Sequence, residues 1–176
     1  MTTLYCGRHR LSLSTRDRPL IMGIVNLTPD SFSGDGFGDD ACAAIAHAEA
    51  QRSAGADILD LGAESSRPGA APVQAEVEID RLLPVLRAVR DWGMPISVDT
   101  TKPEVMRMAI DEGAALINDI AALQTPGALE AVANNDVGIC LMHMQGEPRT
   151  MQAQPHYADV VGEVRDFLAA RIAACK

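Results

Sequence analysis

Short apolar stretches of strand length recur along the chain, and each of them ends in polar residues. The first stretch, LIMGIV, leads into NLTPDSFSGDG, and the second, DILDLG, leads into AESSRPG. The stretches PISVD, AALINDI and GICLMHM follow and end in the same way. Short apolar runs of this kind are typical of buried strands in a parallel sheet. Because α/β folds bind ligands at the carboxyl ends of their strands, the polar residues found there are the candidate functional residues.

The segments between these strands show the helical spacing of apolar residues. Asp39 and Asp40 can cap a first helix, which is expected to stop at Gly55. The second helix is expected to bury one apolar stripe, and Pro84 within it predicts a kink. This stripe consists of Ile79, Leu82, Leu83, Leu86 and Val89. Three more helices are predicted, one starting near Thr101 and Pro103, one near Thr125 and Pro126, and one near Tyr157.

Five strands that alternate with five helices predict right-handed βαβ units around a parallel sheet. A doubly wound sheet that binds dinucleotides should carry a GxGxxG turn after its first strand, and NLTPDSFSGDG does not match it. A barrel instead distributes functional residues over every strand end, as this sequence does. We therefore predict an α/β fold of the TIM (β/α)8 barrel family, a single domain over residues 1–176 with about five of the eight units present. A short strand pair between Leu4 and Leu13 is expected before it, across one end of the fold.

Charge and composition exclude several classes of function. The net charge is −9 at pH 7, and the 15 basic residues are dispersed, which argues against a nucleic-acid surface. No apolar run is long enough to span a bilayer, and the N-terminus lacks the apolar region of a signal peptide, so we expect a cytoplasmic protein that does not contact a membrane. The four cysteines lack zinc-site spacing and are expected to be free thiols.

Five segments together resemble the dihydropteroate synthase family. They are NLTPDSFSGDG, AESSRPGA, ISVDTTKPEV, LINDI and LMHMQGEPRTMQ, in the order that the family has them, and the match runs from about Ile21 to the end. The resemblance implies an enzyme of folate biosynthesis with a barrel fold. It would join a dihydropterin pyrophosphate to 4-aminobenzoate with the help of Mg²⁺, and sulfonamides would compete with the second substrate.

The resemblance assigns roles to four residues at strand ends. Asn26 would help to hold Mg²⁺, which prefers oxygen ligands and is often completed by substrate phosphates. Asp99 and Asn118 would form hydrogen bonds with the pterin, and Met142 would pack on it. Simpler structural roles stay open at this point, since Asn26 could merely end its strand, Asp99 could cap the following helix, and Met142 could belong to the core.

The second loop supplies further residues that the resemblance implicates. Ser66 stands where the family usually has threonine, and it keeps the hydroxyl that would bind a phosphate. Arg67 fits recognition of pyrophosphate, because a guanidinium pairs with two phosphate oxygens, although a plain surface arginine is the alternative. Phe32 in the first loop and Pro68 would form the wall for 4-aminobenzoate, where sulfonamides also bind.

Two carboxylates of the first loop are candidate catalytic residues together with Arg67. The family commonly has the order Ser-Asp-Gly-Gly, whereas this chain has Ser33, Gly34, Asp35 and Gly36, so that the aspartate is shifted by one position. Asp30 is the other acidic residue of this loop. We expect the two loops to close and assemble the site for the aniline.

Strands six to eight of the family have no counterpart in this sequence. The family places there a second pterin carboxylate, a lysine, and a terminal arginine and histidine. Three hypotheses are therefore open: part of a complete dihydropteroate synthase, which would be a homodimer; a non-catalytic pterin-binding or interaction module; or a pterin-binding methyltransferase domain. The LTPDSFS segment suits a pyrophosphate leaving group and argues against the third hypothesis.

Overall fold

The computed structural model describes residues 3–13, 18–28, 36–38, 40–65, 72–148 and 150–176. It begins with an antiparallel strand pair, which confirms the prediction for this segment. The pair consists of β1 (Thr3–Cys6) and β2 (His9–Ser12). The turn between them contains Gly7 at a φ of 55°, a conformation that glycine adopts without steric cost.

A five-stranded parallel sheet forms the centre of the molecule. Its strands are β3 (Met22–Asn26), β4 (Ile58–Gly62), β5 (Ile96–Asp99), β6 (Leu116–Asp119) and β7 (Gly138–Leu141). From β4 onward, each strand pairs in parallel with the one that precedes it in the chain, and a helix lies between consecutive strands of this sheet. This uninterrupted order is the order of a barrel and not that of a doubly wound sheet, whose strand order reverses.

Five helices surround the sheet in the described part of the chain. They are α1 (Ala41–Ser53), α2 (Ala75–Val89), α3 (Pro103–Asp111), α4 (Ala128–Val132) and α5 (Val160–Ala174). Asp40 caps α1 by accepting a hydrogen bond from the backbone of Ala43, at 2.9 Å. The helix α2 is continuous through Pro84, whose side chain is exposed, so the proline does not divide the element. Tyr157 lies before α5 and not inside it.

The two faces of the sheet have different surroundings because side chains alternate along a strand. On the outer face, Leu59, Leu61, Val98 and Ile117 are buried in one apolar cluster together with α1, α2, α3 and α4. The buried stripe of α2 differs from the prediction, since Val85 is buried and Leu83 only half-buried. The inner face is the concave side of the partial barrel.

The strand pair β1–β2 covers the amino ends of the parallel strands. Cys6 and Leu11 pack with Ile58 and Leu116 in a second apolar cluster, and Ile58 and Leu116 are the first residues of β4 and β6. The backbone nitrogen of Gly7 also donates to the carbonyl of Asp136, two residues before β7, at 2.8 Å. The amino end of the sheet is therefore closed, and its carboxyl end is left for ligands. None of the described helices is long and apolar enough to cross a membrane.

Candidate functional site

A row of polar side chains crosses the inner face at the carboxyl ends of the strands. The register pairs Asn26 with Gly62, Gly62 with Asp99, and Asp99 with Asn118. All three predicted side chains are half-buried. Gly62 keeps this row open, since a Cβ atom there would lie 3.7 Å from the Cβ atom of Asp99. The structure therefore brings together three of the residues that the sequence marked as ligands.

Met142 continues the same face beyond the end of β7. Its backbone nitrogen donates to the carbonyl of Asp119 at 3.3 Å, which extends the pairing of β6 and β7 by one step. Cys140 is aligned with Asn118 on this face, and Met142 follows it by one strand period. Met142 is half-buried at the edge of the row, where it can contact a ligand held by Asn118.

Asp60 lies one layer below this row and was missed by the sequence reasoning. Its Oδ2 atom accepts a hydrogen bond from Nδ2 of Asn118 at 3.3 Å, and the residue is only 5% exposed. Burial raises the pKa of Asp60, while neighbouring Ser97 and Asn118 partly oppose this rise. The signal was present in DILDLG, because strict alternation places Ile58, Asp60 and Gly62 on the inner face.

The Asp99 carboxyl is strongly perturbed. Burial, together with repulsion from four neighbouring carboxylates, raises its pKa to about 8. These carboxylates belong to Asp60, Glu78, Asp119 and Glu64. At pH 7 the Asp99 carboxyl is therefore mostly protonated and can both donate and accept a hydrogen bond. Perturbed carboxyl groups of this kind cluster at functional sites, because binding and catalysis require them.

A cluster of three charges lies beside the row. Lys102 Nζ contacts Glu64 Oε2 at 2.5 Å and Glu78 Oε2 at 2.7 Å. The Glu78 side chain is fully buried on α2, and burial raises its pKa against the hydrogen bond from Lys102. Glu64 Oε1 also accepts from the backbone nitrogen of Val73 at 2.8 Å. Glu64 and Val73 flank the second loop, so Lys102 connects both ends of that loop to the scaffold.

The far end of the first loop returns to β3. The backbone nitrogen of Phe37 donates to the carbonyl of Asn26 at 3.0 Å, and that of Gly38 donates to the carbonyl of Thr28 at 3.2 Å. The side chain of Asn26 supplies an amide oxygen, a ligand type that suits Mg²⁺ when substrate phosphates complete the coordination. Within the described residues, no group of three or more His, Cys, Asp or Glu side chains could hold a metal ion. The predicted Mg²⁺ site does not require such a group of side chains, because substrate phosphates and water would supply the other ligands.

The segment after β6 adopts an unusual backbone conformation. Ala122 and Leu123 have φ angles of 53° and 56°, a region that residues with side chains rarely occupy. The carboxylate of Asp119 accepts from the backbone nitrogens of Ala121 and Leu123, and Arg171 of α5 donates to the carbonyls of Ala122 and Leu123. These bonds hold the chain rigidly next to Asn118, and rigid surroundings stabilise a strained conformation.

The remaining predicted site residues lie outside the described residues. They are Asp30, Phe32, Asp35, Ser66, Arg67 and Pro68. His143, at the end of the last strand stretch, packs against the rings of Tyr157 and Phe167, with ring centroids 5.8 and 4.9 Å away. This arrangement favours a packing role for the histidine. All four cysteines are free thiols, as predicted.

Comparison with known proteins gives consistent results. Residues 22–176 match the model of a family described as pterin binding enzyme. The chain is 54% identical over 172 residues to the dihydropteroate synthase of Neisseria meningitidis serogroup B, an alignment that covers 96% of this chain and 59% of the relative. The chain thus spans about three fifths of the length of this relative.

Two solved structures have the same fold over almost all of this chain. The dihydropteroate synthase of Yersinia pestis in complex with a sulfonamide drug superimposes with a TM-score of 0.92 at 44% identity, covering 99% of this chain and 62% of the other. The enzyme of Burkholderia cenocepacia in complex with 7,8-dihydropteroate gives a TM-score of 0.86 at 47% identity, with 99% and 58% covered. These neighbours confirm the prediction of a partial barrel.

Proposed function

Because the chain belongs to the pterin binding enzyme family, we propose that it contributes the pterin site of a dihydropteroate synthase. The reaction condenses (7,8-dihydropterin-6-yl)methyl diphosphate with 4-aminobenzoate and gives 7,8-dihydropteroate and diphosphate. A single observation carries this proposal: Asn26, Asp99 and Asn118 lie in one row on the inner face of the sheet. Such a row suits a flat heteroaromatic ligand that presents fixed donors and acceptors along its edge.

The pterin is bound by Asp99 and Asn118 in this proposal. Their side chains project from rigid, adjacent strands, so little conformational freedom is lost when the ligand binds. A protonated Asp99 offers both a donor and an acceptor to the ring. Met142, at the edge of the row, covers the face of the ring, where its polarisable sulfur makes favourable contacts with an aromatic system.

The diphosphate group lies near Asn26, Ser66 and Arg67 in the proposed complex. Asn26 would hold Mg²⁺, and the metal would supply positive charge that stabilises the diphosphate as it leaves. Arg67 contributes a second positive charge and the geometry for pairing with two phosphate oxygens. The chain carries a net charge of −9, so these local groups are needed to attract an anionic substrate.

The second substrate lies between the two loops in this proposal. Phe32 and Pro68 form the apolar wall for the ring of 4-aminobenzoate, and sulfonamides compete for the same wall. Asp30 and Asp35 are proposed as the catalytic carboxylates of the first loop. The bonds from Phe37 and Gly38 to β3, and from Val73 to Glu64, attach the described flanks of the loops to the scaffold that carries the pterin site.

The chemistry is a substitution at the exocyclic methylene carbon of the pterin. The bond between this carbon and the diphosphate oxygen breaks, and the electron pair leaves with the diphosphate. The aniline nitrogen then forms the new carbon–nitrogen bond and releases a proton to solvent. Positive charge that develops on the pterin is stabilised by the acceptor atoms of Asp99 and Asn118, held in place before the reaction begins.

Calorimetry with the pterin diphosphate and Mg²⁺ tests the binding step. We expect binding by the purified chain, and we expect Asn118→Ala to weaken it at least tenfold, because a buried ligand donor loses its partner. Asn135→Ala, at an exposed position after α4, is the matched control and should bind as the wild type does. A folded chain without measurable affinity would refute the proposed site.

Release of diphosphate on addition of 4-aminobenzoate tests catalysis separately. Release that a sulfonamide inhibits supports the condensation. Binding of the pterin diphosphate without any release would instead identify a pterin-binding module, the second of the hypotheses considered. The cytoplasmic location and the homodimer expected from the resemblance are part of the proposal for the whole enzyme. Sedimentation of that enzyme tests the homodimer.

A further inference from the structure

The side-chain amide of Asn118 is in contact with a buried carboxylate below it. Nδ2 of Asn118 lies 3.3 Å from Oδ2 of Asp60, which projects from the middle of β4. Given the proposed pterin site, we propose that Asp60 is a positioning residue, which fixes the orientation of the Asn118 amide and thereby selects a hydrogen-bond donor on the ligand.

The two ends of an amide are chemically different, and a carboxylate distinguishes them. In the structure the nitrogen end of Asn118 faces Asp60, and Nδ2 donates to the Oδ2 atom, which accepts the bond. The oxygen end of Asn118 is then turned away from Asp60, towards the open part of the inner face. A ligand at this position must present an N–H group. If Asp60 did not fix the amide, Asn118 could adopt both orientations. In one of them its NH2 group would face the N–H group of the ligand, and two donors would oppose each other.

The surroundings of Asp60 argue against a purely structural role. The residue is 5% exposed, and its Oδ1 atom has no hydrogen-bond partner among the described residues. Its neighbour in the register, Ser97, is fully buried beside it. An apolar side chain would fill this position at a lower cost in free energy, because burying an incompletely paired carboxylate is unfavourable. The carboxylate is therefore explained by its contact with Asn118.

The contact can be observed directly by NMR on the chain labelled with ¹⁵N. The side-chain amide of Asn118, assigned by its loss in Asn118→Ser, should show one proton shifted downfield and slow in exchange. Asp60→Leu removes the acceptor, and Asp60→Asn replaces it by a group that can donate or accept. We expect the shift and the slow exchange to disappear in Asp60→Leu and to weaken in Asp60→Asn. Unchanged resonances in both variants would overturn the proposal.

Affinity for 6-hydroxymethylpterin provides the functional measurement. We expect both Asp60 variants to bind about tenfold more weakly, the effect of one mismatched hydrogen bond. Glu78→Gln is the matched control: it also neutralises a buried carboxylate that acts on Asp99, but Glu78 lies on α2, away from Asn118. Its affinity should stay within twofold of the wild type.

The outcomes separate this inference from the proposed function. If the Asp60 variants bind 6-hydroxymethylpterin as tightly as the wild type, the positioning role is wrong. An equal loss in Glu78→Gln would overturn it too, because buried charge alone would then explain the effect. If the wild-type chain binds no pterin, the proposed function fails, and the Asn118 resonances still support or overturn the contact with Asp60.

Discussion

Replacement of Lys102 by methionine should destabilise the fold in a way that depends on pH. Lys102 is the cation that neutralises Glu78, at 2.7 Å, and the Glu78 side chain is fully buried. Methionine has a similar length and can fill the same space, but it leaves the buried carboxylate without a positive partner. Removal of one member of a buried pair costs about 3–5 kcal/mol, because the remaining charge is uncompensated.

Proton uptake by Glu78 limits this cost. The ordinary pKa of a glutamate is 4.5, and each pH unit above it adds about 1.4 kcal/mol to the free energy of protonation. The unpaired charge of Glu78 can therefore lower the free energy of unfolding by at most about 3.4 kcal/mol at pH 7 and about 1.4 kcal/mol at pH 5.5. The pair with Glu64 is partly exposed and adds less than about 1 kcal/mol.

The direction of the pH effect follows from the pKa of Glu78. Burial raises this pKa, and Lys102 opposes the rise, so the variant should raise it further. When folding raises the pKa of a carboxyl, the folded state loses stability at pH values above the pKa of the unfolded state. At pH values well below that pKa, the carboxyl is protonated in both states and the loss is zero. The stability difference between wild type and Lys102→Met should therefore shrink as the pH falls from 7 towards 4.5.

Urea unfolding at pH 7 and pH 5.5 measures this difference. In the Lys102→Met background, Glu78→Gln removes the uncompensated charge and should restore most of the lost free energy at pH 7. Arg87→Met is the matched control, since Arg87 pairs with Glu112 at the surface, where solvent screens the interaction and its loss should cost little stability. Equal losses at the two pH values, or a loss no larger than that of Arg87→Met, would refute the reasoning.

Two further predictions concern the ends of the sheet. Gly138→Ala should lower the free energy of unfolding by about 1–3 kcal/mol, because its Cβ atom would lie 2.9 Å from Leu116 Cδ1 and 3.2 Å from the backbone oxygen of Tyr5. Gly62→Ala is the control in the same denaturation assay, since its Cβ atom would make an ordinary contact at 3.7 Å. Equal effects of the two substitutions would contradict the packing argument. Asp99 should make the wild type less stable as the pH rises from about 5 to 8, by up to about 1.4 kcal/mol per unit, because its pKa is raised to about 8. Asp99→Asn should flatten this slope, and an unchanged slope would show that Asp99 titrates normally.

The strands and the row of site residues could be predicted because both depend on local patterns. Each strand is a short apolar run, and parallel strands place their carboxyl ends at the same edge of the sheet. Asn26, Asp99 and Asn118 follow from these two rules alone. The resemblance to a family added the roles of these residues, which no pattern of apolar spacing contains.

Other features depend on contacts between distant parts of the chain. The burial of Glu78 has no signal in the local pattern, since charged residues are usually exposed. It is possible because Lys102, which directly precedes α3, pairs with the carboxylate. Asp60 was overlooked inside an apolar strand, since its partner Asn118 lies 58 residues away. Pro84 does not end its helix, which runs without a break from Ala75 to Val89, and the predicted kink stays a prediction.

The order of the parallel strands has a consequence for synthesis on the ribosome. Every strand from β4 onward pairs with the strand that has emerged just before it, so a docking template is ready as each new segment leaves the exit tunnel. The sheet can then grow by one βα unit at a time, and no strand after β3 has to wait for a partner that is made later. The hydrogen bond between the backbone nitrogen of Gly7 and the carbonyl of Asp136 connects a segment that is synthesised early with one that is synthesised late. It cannot form until the chain has been made as far as β7, so closure of the amino end of the sheet comes after the first four parallel strands have been synthesised.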